Sequence, residues 1–137
     1  MAVVYSNRDI RYINKRGQDP QAVLPYAISL EDYLDDDETV TAKEWLTSGI
    51  DTAIGPFIVD TDNTPVAIED LAVEEEVNGE PMTYLRCERV WLKNTDFDGT
   101  TEEQDAWIGE TGLITLRVTT DEPRVDDISF KLLCRRT

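Results

Sequence analysis

The sequence predicts an all-β fold in which two antiparallel sheets pack face to face. Two segments near the C-terminus alternate apolar and polar residues, at 112–120 (GLITLRVTT) and 127–135 (DISFKLLCR). Strict alternation gives a strand one buried face and one solvent face. The connection between them is rich in turn residues, so we expect an antiparallel hairpin. Several further short apolar runs, separated by turn signals, favour a two-sheet sandwich.

Upstream of this hairpin, strand candidates follow one another in order. Strands are predicted at 26–34 and 39–46, separated by the acidic turn DDDE, with a short apolar run at 57–59. Residues 66–78 fit either a strand or one helical turn, and their periodicity does not decide. Asn78 and Gly79 indicate a hairpin turn because both tolerate a positive φ. The longest strand candidate follows at 82–92, and Trp45 and Trp91 within strand candidates are expected in the core.

The chain length of 137 residues fits one domain. Residues 26–137 are predicted to form a single β-sandwich domain, and residues 1–25 an extended N-terminal arm. Gly17, Pro20 and Pro25 interrupt any helical period in the arm, yet its apolar residues are too many for a solvated tail. We expect the arm to pair as an edge strand or to lie on a neighbouring subunit.

The charge is strongly negative and unevenly distributed. The chain has 13 basic and 29 acidic residues, a formal net charge of −16. Binding to nucleic acid or to an anionic membrane is not expected, because both depend on basic residues. The two ends are mildly basic and residues 31–110 are highly acidic. This asymmetry suits an oligomer in which the basic end of one copy meets an acidic face of the next. Plain solubility explains it equally well.

The residue types of common catalytic sites are scarce. The sequence has no His, which removes the commonest general base and metal ligand. Cys87 and Cys134 lack a context that would favour a thiolate, so we expect free, inert thiols. The first residues lack the continuous apolar stretch of a signal peptide, and no run reaches the ~20 apolar residues of a membrane span. The sequence therefore predicts a protein of a cytosol-like compartment that is not an enzyme and has no cofactor.

One segment has the spacing of a calcium-binding loop. Oxygen ligands stand at positions 1, 3, 5, 9 and 12 of a twelve-residue stretch, with Gly99 at position 6, close to the EF-hand pattern. The first and last positions depart from that pattern, and the preceding segment resembles a strand. The alternative is an acidic hairpin loop. The candidate Ca²⁺ ligands are Asn94, Asp96, Asp98, Glu102 and Asp105.

Taken in order, these segments resemble a family of small bacteriophage virion proteins. The matching motifs are a DP followed by a Tyr, a VTAxxW strand, a VWL strand, TG leading into RVTT, and a closing RxDDxSFxL. The resemblance covers about residues 19–46 and 90–135, while residues 47–89 match little. It implies an immunoglobulin-like sandwich that serves as a fibre–tail adaptor, with no catalytic residues. The matching residues are Asp19, Pro20, Tyr26, Val40, Thr41, Ala42, Trp45, Val90, Trp91, Leu92, Thr111, Gly112, Arg117, Val118, Thr119, Thr120, Arg124, Asp126, Asp127, Ser129, Phe130 and Leu132.

The expected function is therefore a virion structural protein, assembled in the host cytoplasm, that links the tail or neck to tail fibres. Its expected partners are tail, neck and fibre proteins and neighbouring copies of itself. A capsid decoration protein is the first alternative. An acidic DNA mimic that inhibits a host protein and a secreted Ca²⁺-dependent adhesion module are the others. Partner contacts are expected from the arm and one loop, at Tyr5, Arg8, Arg11, Tyr12, Ile13 and Trp107.

Overall fold

Eight strands and one short helix follow one another in the part of the chain that the computed structural model describes. It describes residues 2–5, 17–30, 33–63, 69–77 and 80–136, with the backbone alone for 2–5, 69–77 and 80–85. The elements are β1 (Ala2–Tyr5), β2 (Leu24–Ser29), β3 (Val40–Gly49), β4 (Phe57–Val59), β5 (Glu69–Val77), β6 (Glu80–Asn94), α1 (Thr101–Asp105), β7 (Thr111–Thr120) and β8 (Val125–Leu133).

The C-terminal strands form the hairpin that their alternation predicts. β7 and β8 pair antiparallel from Thr111 opposite Leu133 to Thr119 opposite Val125. β3 pairs antiparallel with the other edge of β7, giving the order β3-β7-β8 among the described residues. The apolar residues of the alternating pattern all lie on the buried face: Ile114, Leu116, Val118, Ile128, Phe130 and Leu132.

The second sheet is built around β6. In the described part of the chain, β2, β4 and β5 pair antiparallel with β6, and β1 pairs parallel with β2. The undecided segment 66–78 therefore contributes a strand, β5. Its last residue, Val77, lies opposite Glu80 across the predicted Asn78 and Gly79 hairpin, although those two residues lie outside the described ones.

The two sheets enclose one apolar core, so the all-β prediction is confirmed. Buried side chains of both sheets belong to a single cluster. The rings of Tyr26 from β2 and Phe130 from β8 meet across the core with centroids 5.8 Å apart, tilted by 34°. Burying aromatic and aliphatic surface between two such sheets is the main stabilising contribution to this kind of fold.

Two details of the sequence prediction are wrong. The strand predicted at 26–34 ends at Ser29, because the carbonyl of Leu30 accepts hydrogen bonds from the amides of Tyr33 and Leu34 and closes a turn. Trp91 is half-buried and alternates with the buried Val90 and Leu92, which places it on the outer face of β6. Trp45 is also only partly buried, although it packs against the core as expected.

Part of the predicted N-terminal arm lies within the described fold. Residues 2–5 form the edge strand β1, residues 6–16 lie outside the described residues, and β2 begins at Leu24. Gln18 is fully buried between the sheets, where its Nε2 donates to the carbonyl of Leu92 at 2.8 Å. Its Oε1 accepts from the hydroxyl of Tyr26 at 2.6 Å. The chain is therefore anchored in the core from Gln18 onward.

Candidate docking surface

Loops at one end of the sandwich surround a shallow groove of about 370 Å³, which we call the end groove. The loop after β3, the residues before β4 and the segment between α1 and β7 meet there. Hydrogen-bonded pairs bring them together: β3 ends opposite the start of β7 at Gly49 and Gly112, and the amide of Thr95 donates to the carbonyl of Pro56. The lining residues are Gly49, Ile50, Asp51, Thr52, Ile54, Gly55, Pro56, Trp107, Gly109, Glu110 and Thr111.

The loop at 50–55 is held in place by hydrogen bonds within it and by one from Thr95. Gly49 donates its amide to the carbonyl of Thr52 at 3.0 Å, and the Thr52 hydroxyl donates to the carbonyl of Ile54 at 3.0 Å. The Thr95 hydroxyl donates to the carbonyl of Gly55 at 2.5 Å. A Cβ at Gly55 would overlap the carbonyl of Ser48, so this close approach requires glycine.

This fixed loop carries aliphatic side chains into solvent. Ile54 is 66% exposed and Ile50 is 45% exposed. Ile108, which lies between the groove residues Trp107 and Gly109 in the chain, is also exposed. Single exposed apolar residues are ordinary, but several gathered around one concavity are typical of a binding surface.

Trp107 forms one wall of the groove and is fixed there. Its side chain is half-buried and packs against the core, and its Nε1 donates to Oδ2 of Asp96 at 2.7 Å. The preceding helix α1 starts with a capping box, in which Thr100 and Glu103 exchange hydrogen bonds between side chain and backbone. The Gln104 side chain donates to the carbonyl of Phe97 at 2.9 Å, which ties the helix to the loop before it.

The groove is acidic on both sides. Asp51 and Glu110 are exposed and belong to its lining. Nearby, Asp105 forms an ion pair with Arg136, so this carboxylate is already neutralised within the chain. The surface therefore combines aliphatic and aromatic contacts with negative charge.

The structure does not gather the candidate calcium ligands into one site. A helix starts at Thr101, inside what would be the ligating loop, because the Thr100–Glu103 capping box ends the loop early. The Asn94 side chain is buried, donating to the carbonyl of Pro56 and accepting from the Asp96 amide, and Asp96 accepts from Trp107. Glu102, Asp105 and Asp98 are exposed, and Asp105 pairs with Arg136. Throughout the described residues, no group of three or more His, Cys, Asp or Glu side chains could hold a metal ion.

The other predicted contact residues lie in the N-terminal segment. Tyr5 ends β1 opposite Ser29, and only its backbone is described. Arg8, Arg11, Tyr12 and Ile13 lie outside the described residues. Of the predicted contacts, Trp107 is the one whose surroundings the structure describes.

At the end of the sandwich opposite the end groove, residues of the C-terminal motif bind a buried carboxylate. Glu38 is fully buried; Nε of Arg124 donates to its Oε2 at 2.8 Å, and the Thr120 hydroxyl donates to the same oxygen at 2.5 Å. The side-chain hydrogen bond from Arg124 is the main reason why the pKa of Glu38 falls from 4.5 to about 2, against the opposing effect of burial. On the outer face of the hairpin, Arg117 and Asp127 pair with Nε–Oδ1 at 2.9 Å.

A second ion pair joins the two sheets. Lys43 of β3 pairs with Glu88 of β6, which is fully buried. Burial lowers the pKa of Lys43, because the charged ammonium is partly removed from water.

Cys134 is buried in the core, and this burial, with the charge of Asp19 as a second cause, raises the pKa of its thiol to about 11. Cys87 and Cys134 are both free, as the sequence predicts.

Sequence reasoning singled out Trp107, which lines the groove, but none of the other groove residues. Ile50 and Ile54 stand in a segment bounded by the Gly49 and Gly55 positions, and two isoleucines in such a Gly-punctuated stretch are a signal that could have been used. Glu110 carries no signal of its own, because its place in the groove depends on a hydrogen bond from the distant Cys134 amide.

Neither a membrane-spanning helix nor a relative helps to identify this chain. None of the helices in the described residues is long and apolar enough to span a membrane. Neither the protein-family models, the curated proteins nor the solved structures with which the chain was compared give a match.

Proposed function

We propose that this chain is a structural protein of a bacteriophage virion, an adaptor that joins the tail or neck to tail fibres by protein–protein docking. It would be assembled in the host cytoplasm and act without catalysis. We also propose that its two sheets form an immunoglobulin-like sandwich from which residues 1–25 extend as an arm. The observation that carries the docking part is the end groove, where a fixed loop holds Ile50 and Ile54 in solvent beside Trp107.

The roles of the motif residues support the resemblance on which the virion assignment depends. Arg124 and Thr120 hold the buried Glu38, Asp127 pairs with Arg117, and Phe130 lies in the core. Arg117 and Asp127 are exposed, whereas Thr120 and Phe130 are buried. Motif residues that pack inside the fold are a stronger indication of a shared architecture than exposed ones. It does not identify the partner, which surface loops would determine.

Rigidity of the groove supports an adaptor in particular. A docking surface that is ordered before binding loses less conformational entropy when its partner arrives. The hydrogen bonds within 49–55, the Thr95–Gly55 bond and the Trp107–Asp96 bond provide that order. An adaptor must also hold a fixed geometry between two partners, and the hydrogen-bonded loops around the groove favour this.

Mass spectrometry of purified virions tests this function. The chain should be present at about a dozen copies or fewer per particle, in line with the low rotational symmetry of a tail or neck ring. Hundreds of copies would instead support the capsid decoration alternative. Absence from particles, together with salt-sensitive binding to a basic host protein, would overturn the virion assignment in favour of the DNA-mimic alternative.

A further inference from the structure

The strand β6 continues beyond the other strands of its sheet. In the described part of the chain, β2 pairs with β6 from Cys87 to Leu92, and β4 pairs with it from Leu92 to Asn94. Residues 80–84 of β6 pair with β5 alone. We call β5 together with residues 80–84 the ribbon. Glu80 stands seven residues beyond Cys87, so the ribbon reaches about 23 Å from the sheet.

The base of the ribbon is fixed to the sandwich. The carbonyl of Arg86 accepts from the amide of Leu30 at 3.0 Å, and its guanidinium donates to the carbonyls of Asp35 and Glu38 at 3.2 and 2.8 Å. These bonds tie the ribbon to the acidic turn at the end of the sandwich opposite the end groove. Beyond this base, β5 makes extended contact with β6 alone among the described elements.

The strand register gives the ribbon one apolar face. Leu71 stands opposite Tyr84, and Val73 stands opposite Met82. Opposed residues of two paired strands lie on the same face, and so do alternate residues along each strand. The apolar face therefore consists of Leu71, Val73, Val77, Met82 and Tyr84, with Glu80 at its end. The opposite face consists of Ala72, Glu76, Pro81 and Thr83.

The ribbon is also strongly acidic. Residues 69–80 contain six acidic residues and no basic one, and residues 81–85 are uncharged. An isolated two-stranded hairpin is marginally stable in water, so covering its apolar face stabilises it. Negative charge around that face favours a cover that carries Lys and Arg at its border. The acidic residues are Glu69, Asp70, Glu74, Glu75, Glu76 and Glu80.

The N-terminal segment of the same chain is too short to cover the outer end of this face. Tyr5 is held through β2 at the level of Cys87, the base of the ribbon. Gln18 is held at Leu92, five residues along β6 in the other direction. A path from Tyr5 to the level of Val77 and back to Gln18 is about 60 Å long. The 13 residue steps that join Tyr5 to Gln18 span at most about 47 Å.

A second copy of the chain is disfavoured by charge. Each copy has a net charge of −16, and two ribbons packed face to face would bring the same acidic residues together. Like charges placed opposite each other oppose association. The apolar face therefore suits a different protein.

We propose that the apolar face of the ribbon docks on another protein, at an apolar patch bordered by Lys and Arg. The inference rests on the proposed docking function and gives the adaptor a second docking surface. The end groove lies at the other end of β6, where the Asn94 side chain donates to the carbonyl of Pro56 at 3.0 Å. The two surfaces thus stand at opposite ends of one strand, an arrangement that suits a protein joining two partners.

Methionine-methyl NMR of the full chain tests the proposal. The sequence has two methionines, Met1 and Met82, so ¹³C-methyl labelling gives Met82 a signal of its own, which Met82→Leu assigns. The probe is a short synthetic peptide of alternating valine and lysine, and the control peptide alternates valine and glutamate. The Met82 signal should shift to saturation with the lysine peptide, more weakly at high salt, and should not move with the glutamate peptide.

Two matched variants test which face binds. Val73→Thr keeps the shape of the side chain and adds a hydroxyl to the apolar face, and should weaken binding of the lysine peptide roughly fivefold. Ala72→Thr introduces the same residue at the neighbouring position, on the opposite face, and should leave the affinity unchanged. Both variants keep Met82 as the reporter.

The outcomes separate this inference from the proposed function. A Met82 signal that ignores the lysine peptide or responds equally to both peptides, or equal effects of the two variants, would overturn the docking assignment. A shift that grows with the concentration of the chain alone would assign the face to a second copy and overturn it too. If virions contain the chain but Met82 does not respond, the adaptor function stands and this inference fails. If Met82 responds selectively while virions lack the chain, the inference holds and the virion function fails.

Discussion

Replacing Phe130 with alanine tests the core that joins the two sheets. Phe130 is fully buried on β8, lies opposite Ile114 in the β7–β8 register and contacts the ring of Tyr26 from the other sheet. Phe130→Ala removes the ring and leaves a cavity between the sheets. Because both sheets are paired by backbone hydrogen bonds on either side of it, the site collapses only partly around the missing ring.

The expected loss of free energy of unfolding follows from the burial of the Phe130 ring. Truncating a core phenylalanine to alanine costs about 3–5 kcal/mol, the sum of lost transfer free energy and the cavity. Domains of this kind have a free energy of unfolding of about 5–15 kcal/mol, so Phe130→Ala removes a large share of it. With a urea m-value of about 2 kcal/mol per molar, a loss of about 4 kcal/mol lowers the midpoint by roughly 2 M.

Urea titration followed by tryptophan fluorescence measures this loss, with Val125→Ala as the control on the same strand. Val125 is 64% exposed, so its truncation should change the free energy of unfolding by no more than about 0.5 kcal/mol. The m-values of the two variants should agree with that of the unmodified chain. Equal midpoints for Phe130→Ala and Val125→Ala would refute the two-sheet core.

Three further predictions follow from the buried polar groups. The ionised form of Glu38, with its pKa lowered from 4.5 to about 2, contributes stability that is complete above pH 4.5 and is lost as the pH falls towards 2. As the pH is lowered across that range, the urea midpoint of Glu38→Gln should therefore fall less steeply than that of the unmodified chain. Parallel curves of midpoint against pH would contradict this. Gln18→Ala removes the hydrogen bonds that Gln18 makes with the Leu92 carbonyl and the Tyr26 hydroxyl, and should lower the free energy of unfolding by about 2–4 kcal/mol in the same titration. Tyr26→Phe removes one of these bonds and should cost less. The Cys134 thiol is buried and has a pKa of about 11, so it should react with a disulfide reagent at pH 8 only as fast as the chain unfolds. Peptide mapping locates the labelled cysteine. Immediate labelling of Cys134 in the native chain would argue against its burial.

The β7–β8 hairpin shows how much of the fold is local. Its alternating residues and turn-rich connection predict two strands, their pairing and their buried faces, and all three agree with the structure. The period of two is a property of neighbouring residues, so a single sequence expresses it fully. The Thr100–Glu103 capping box is equally local, and attention to it would have predicted the helix that starts at Thr101.

The assignment of partners across the fold needed the tertiary structure. Glu38 and Arg124 are 86 positions apart, and nothing in either neighbourhood pairs them. The end groove likewise joins the loop after β3, the residues before β4 and the segment after α1, and its acidity arises only when Asp51 and Glu110 come together. By itself, the sequence determined the all-β class, the β7–β8 hairpin with its buried face, and the distribution of charge, because these depend on short-range periodicity and composition. Which strands share a sheet, and which loops share a surface, was decided by long-range packing, because such contacts form only when the whole core closes.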